Sequence, residues 1–149
     1  DECDTGGIGG TLAGNALSLA AVRATLEHVL TDDLYRRTVP LATRFTAGVQ
    51  SVIQEFDLPW SVKELGCRAE YWFHPVGPRN GGEAVAAIDS QLDRYMHLCA
   101  LNRGILMTPF HNMALIAPDT EEADIDQHTS VFRESVAQLF AVLPDDDVL

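Results

Sequence analysis

The spacing of apolar residues changes several times along the chain, and each change marks an element. Small and apolar residues recur at helical spacing from Leu17 to Leu30, which predicts a helix over 15–30. Thr31 and Asp32 break that pattern in residue types that cap helices. A second helix follows over 33–56, with Leu34, Val39, Leu41, Phe45, Val49, Val52 and Ile53 on one side and Pro40 in its early turns. Beyond Leu58-Pro59, WSVKELG and RAEYWFHP read as two strands of an antiparallel hairpin punctuated by Gly66. VGPRNGGEA is a loop by composition. Helical spacing returns over 90–102 through Leu92, Tyr95, Met96, Cys99 and Ala100, and Gly104 stands where a C-cap belongs. Two short strands are expected at 105–107, buried, and at 113–117, before a last helix over 120–143. This order predicts an α+β fold, a small antiparallel sheet covered by helices.

Composition narrows the function. At 149 residues and 46% apolar content the chain can bury the core of one domain. Its net charge of −12 leaves no basic face to displace counterions from a nucleic acid, and acidic membrane surfaces are equally poor partners. No apolar run reaches the length of a spanning helix. Cys3, Cys67 and Cys99 are odd in number and widely spaced, the pattern of reduced thiols in a cytoplasmic protein. His74, His97 and His128 have no metal-ligand spacing, so no metal site is expected. The chain opens on DECDTGG without Met and reads as a portion of something longer.

The stretch GGIGGTLAGN, just before the first helix, concentrates bare backbone where helix N–H groups are free, as an anion site would require; on composition alone a plain structural turn is the alternative. It is neither of the two familiar phosphate cradles. G-x-G-x-x-G would need glycine at Leu12, and the P-loop would need Lys-Ser or Lys-Thr where Asn15-Ala16 stands.

GGTLAGNALSLAAVRATLE resembles the G-T-x-x-G-N-P-x-x-x-A-A segment of class III, pyridoxal-phosphate-dependent aminotransferases, in particular the glutamate-1-semialdehyde aminomutase branch. NRGILMTP and PDTEEADIDQHTSVFRESVAQL resemble later segments of that family in the same order, so the likeness runs over essentially the whole chain. The resemblance implies the C-terminal domain of a fold-type-I enzyme. Residues 1–32 would form a cofactor-phosphate loop with an interdomain helix, and 33–149 the small domain. It implies a homodimer, with Gly10 and Thr11 closing over the phosphate of pyridoxal 5'-phosphate held mainly by the partner. Phe110-His111-Asn112 stands where the aminomutase branch carries Phe-Glu, so His111 and Asn112 are the expected substrate-pocket residues. A histidine simply bonded to local backbone is the alternative. The substrates implied are a small-molecule amino donor and a carbonyl acceptor.

Such chemistry needs a lysine amine to hold the cofactor aldehyde and shuttle a proton. The one lysine is Lys63, in a predicted strand and read as an ion pair with Glu64, so no catalytic residue is assigned in this chain. Arg68 and Glu70, two apart on a strand, are expected to pair on one face, and Arg79 is a candidate anion contact. Trp60, Tyr71, Trp72 and Phe73 read as core or interface rather than a stacking platform, since no basic groove accompanies them. The rival to a partial aminotransferase is a stand-alone, non-catalytic α+β domain for ligand binding or oligomerisation. An apolar, unpacked face on the first helix would favour the former.

Overall fold

The computed structural model describes residues 14–108 and 111–142. Its elements run α1 (Ala16–His28), α2 (Asp32–Glu55), β1 (Ser61–Leu65), β2 (Arg68–Trp72), α3 (Gly81–Ala86), α4 (Ser90–Leu101), β3 (Met113–Leu115) and α5 (Glu122–Val142). The α+β architecture expected from the pattern is present. A three-stranded sheet in the order β1-β2-β3, antiparallel throughout, packs against α2, and α4 and α5 complete the helical side.

Local chemistry explains the boundaries. Thr31 caps α2 by accepting from the Leu34 N–H, and Asp32 and Asp33 lie in the first turn, where the helix dipole favours acids. Pro40 sits inside α2 on its exposed side, where water can take the carbonyl that the missing N–H leaves free. Gly66 turns the β1–β2 hairpin at φ 60°, and Gly104 ends α4 at φ 81°.

Phe45, Val49, Val52, Trp60, Tyr71, Phe132 and Val136 form the centre of the core. Aromatic rings meet there edge to face, Trp60 on Phe73 at 4.6 Å and Tyr71 on Phe132 at 5.1 Å. The two long helices meet at Gly48, where a Cβ would run into the side chain of Thr129. Arg44 clasps Asp126 with two bonds of 2.7 and 2.8 Å, and Arg133 reaches Glu55 at 2.7 Å, both across the α2–α5 seam.

Four expectations change. The glycine-rich loop after β2 contains the short helix α3, because Asn80 caps it and Glu83 answers through Arg79 and Asn80. Residues 105–107 are not a strand. No described strand pairs with them, and only Met107 is buried while Leu106 points outward. The last helix begins at Glu122, since Thr120 is occupied in accepting from the Ala117 N–H. Lys63 does not pair with Glu64, its neighbour on a strand whose side chains alternate; its Nζ donates to the Gly77 and Pro78 carbonyls at 3.0 and 2.9 Å.

α1 stands apart from this packing. It has no buried residue, and Leu17, Leu19, Val22 and Leu26 are all exposed.

Candidate substrate-facing site

His111 and Asn112 lead directly into β3, and the register of that strand brings them beside β2. The Tyr71 N–H donates to the Asn112 carbonyl at 3.1 Å, extending the ladder by one bond. The Asn112 side chain donates from Nδ2 to Asp93 Oδ1 of α4 at 2.7 Å. His111 Nδ1 lies 3.6 Å from Glu70 Oε1, and Glu70 Oε2 accepts from Arg68 at 2.6 Å. The Arg68–Glu70 pair anticipated from their spacing is therefore present, and it adjoins His111. His111 meets a carboxylate rather than local backbone.

Two cavities meet at this corner. One, of about 50 Å³, runs inward between Met96, Met107 and Thr108. The other, of about 250 Å³, opens between β2 and α3. Tyr71, Asp93, His111 and Asn112 line both. Burial sets the electrostatics. It raises the Asp93 carboxyl above its ordinary range and Asp89 adds to this, while the bond from Asn112 and the nearness of His111 pull the other way. Burial, with Asp93 beside it, holds the Tyr71 phenol firmly protonated. These groups can orient a bound molecule and accept or donate hydrogen bonds.

Gly10 and Thr11 lie outside the described residues, as do Pro109 and Phe110. The helix they would precede is visible: Asn15 caps α1 by accepting from the Ser18 N–H at 3.0 Å, and α1 has no acid in its first turn. Arg79 does not join His111. It is held by Glu83 at 3.0 Å and lines a separate cavity with His74 and Val76. Asp93 was missed by sequence reasoning, although a signal existed: it sits three and seven residues before the buried Met96 and Ala100, a carboxylate on the apolar side of its helix. Among the described residues no cluster of His, Cys, Asp and Glu could hold a metal ion, and no helix is long and apolar enough to cross a membrane.

No protein-family model matches the chain. A glutamate-1-semialdehyde 2,1-aminomutase of Thermomicrobium roseum is 30% identical over 131 residues, which is 87% of this chain and 30% of that protein. The crystal structure of a glutamate-1-semialdehyde-aminomutase from Pseudomonas aeruginosa PAO1 superposes with a TM-score of 0.82 at 47% identity, covering 93% of this chain and 31% of that one. A crystal structure of a lysine-to-alanine variant of a glutamate-1-semialdehyde-aminomutase from the same organism, in complex with PMP, superposes with the same TM-score of 0.82. An omega-transaminase from Sphaerobacter thermophilus shares the fold, with a TM-score of 0.69 at 20% identity. The chain spans about a third of the length of each of these relatives. Over most of its length, then, this chain is similar to the class III pyridoxal-phosphate-dependent aminotransferases, its near likeness being to glutamate-1-semialdehyde aminomutases, and its fold is that of a part of the fold-type-I enzymes.

Proposed function

We propose that this chain is the C-terminal part of a pyridoxal-phosphate-dependent aminotransferase or aminomutase, in which 1–32 form the phosphate loop and interdomain helix and 33–149 the small domain. The observation that carries this reading is α1. It follows the Gly-Thr loop directly, and it displays Leu17, Leu19, Val22 and Leu26 on a helix that packs on nothing among the described residues. A self-sufficient domain would have buried them.

The residues present fit the cofactor. A helix start with no acid in its first turn does not oppose a phosphate, and Gly10 and Thr11 stand a few residues before its cap Asn15. Thr11 would donate its N–H and hydroxyl to phosphate oxygens. When bound, pyridoxal phosphate supplies an electron sink for moving an amino group between carbons. His111 and Asn112, fixed by Glu70 and Asp93, form one wall for the small-molecule amino donor and carbonyl acceptor. Lys63, tied to two backbone carbonyls, takes no part, so the amine that holds the cofactor comes from the portion of the relatives that this chain does not match. A phosphate shared between subunits requires a homodimer. The free thiols of Cys67 and Cys99 support a cytoplasmic setting.

The test is the absorption spectrum of the protein assembled with its lysine-bearing portion. A band near about 420 nm, and cofactor loss about tenfold easier in Thr11→Ala, are expected. No band with added pyridoxal phosphate would overturn the reading and favour the non-catalytic domain.

A further inference from the structure

Residues 105–108 have a strand's composition but do not pair with β3, and both segments line a groove of about 210 Å³ together with Phe45, Ile125 and His128. Its surface is mainly apolar, and Leu106 (78% exposed) and Leu115 (62% exposed) carry that surface out into water. One buried polar group is built into it. His128 is clamped between Phe45 and Phe132, which holds its ring in place. Neither of its nitrogens has a hydrogen-bond partner among the described residues. Nδ1 is sealed from solvent and Nε2 is not, so Nε2 is the nitrogen that opens to the groove His128 lines. Two other polar residues of the groove are already engaged: Thr120 accepts from the Ala117 N–H at 3.1 Å, and Asp124 from the Glu121 N–H at 2.8 Å. Thr108 lines both this groove and the smaller cavity at His111.

The ligand's chemistry follows from these groups. Burial keeps the imidazole neutral, so it presents one N–H and one lone pair. A neutral ring does not attract an anion, and the Asp124 carboxylate repels one. An ammonium would exchange its water for apolar walls. A hydroxyl both donates and accepts, and therefore meets Nε2 in either tautomer. The groove exceeds the roughly 150 Å³ that accommodates benzene in an apolar interior, so a ring-sized body fits. We propose that this groove binds a neutral, ring-sized apolar molecule carrying one hydroxyl, which bonds to His128 Nε2 while the body lies against Ile105, Met107 and Ile125. Such a site is independent of the aminotransferase reading and goes beyond it.

The test is an NMR titration of the protein at about pH 7.5, where phenol is neutral, with phenol, toluene and benzoate in turn. The first two share a body and differ in the hydroxyl; the third carries a negative charge. Phenol and toluene should both shift the Ile105, Met107 and Ile125 methyls saturably. The Nε2 nitrogen resonance of His128 should move on adding phenol, and more than it does with toluene, because only phenol bonds to it. Benzoate should bind at least about tenfold more weakly than phenol. His128→Phe keeps a ring in the slot and removes the nitrogen, so the ratio of phenol to toluene affinity should fall about tenfold. An Nε2 resonance that responds alike to phenol and toluene overturns the proposal in the unaltered protein, whether or not the variant folds. So does an affinity ratio that His128→Phe leaves unchanged, equal affinity for benzoate, or the absence of saturable shifts at the groove methyls. The cofactor spectrum is untouched by any of these results.

Discussion

His128 makes the protein lose stability in mild acid, and the amount can be worked from its surroundings. The imidazole is 6% exposed, packed between Phe45 at 4.3 Å and Phe132 at 5.9 Å, and its Nδ1 has no hydrogen-bond partner among the described residues. Burial among these rings disfavours the charged form and pushes its pKa from 6.5 down to about 4. The unfolded chain, with an ordinary histidine, binds the proton first as pH falls. Stability is thus fully retained above about pH 6.5, falls between there and about pH 4, and is constant with respect to this group below that. A gap of about 2.5 units at 1.36 kcal/mol each amounts to about 3 kcal/mol, a large share of the stability of a domain. His128→Phe keeps a ring in the slot and removes the titration. Urea denaturation of both proteins from about pH 7.5 to about pH 4 should show the stability difference moving by about 3 kcal/mol in favour of the variant. Asp93, whose raised carboxyl pKa acts with the opposite sign, is common to both proteins and cancels. A difference that stays constant over that range would refute the reasoning.

Gly48→Ala should cost about 1–3 kcal/mol in denaturant unfolding, because the new methyl meets the Thr129 side chain of α5; the same change at Gly14, which has open space around it, serves as the control. Removing residues 1–30 should leave the melting temperature within about 2 °C of the intact chain, since α1 contributes no buried residue to the core. Lys63→Met should leave global stability nearly unchanged but raise hydrogen exchange at 77–83, where its Nζ holds two carbonyls. Asn112→Ala should remove the hydrogen bond to Asp93 and leave that carboxylate less stabilised, raising its pKa further in an NMR titration.

Periodicity alone determined most of the fold. The 3.6 and 2.0 repeats are written by the need to bury one face of each element, and they gave α2, the β1–β2 hairpin, α4 and α5 nearly to the residue. Composition argued against a nucleic-acid role, and the Gly-Thr segment with its helix resembled the family to which the fold is similar. The pairing of Arg68 with Glu70 was legible because it depends on strand alternation within one element. What sequence could not supply was long-range. Residues 105–107 have the composition of a strand, but a strand exists only with a partner to take its hydrogen bonds, and none among the described residues does so. α3 hid in a glycine-rich run because its stability comes from caps, Asn80 and Glu83, rather than from a periodic apolar face. The site is the clearest case. Asp93 and Asn112 are nineteen residues apart, on a helix and at a strand entrance, and only the packing of α4 beside the sheet makes them partners. Burial then decides their charge, because desolvation depends on everything that surrounds a group and not on its neighbours in the chain.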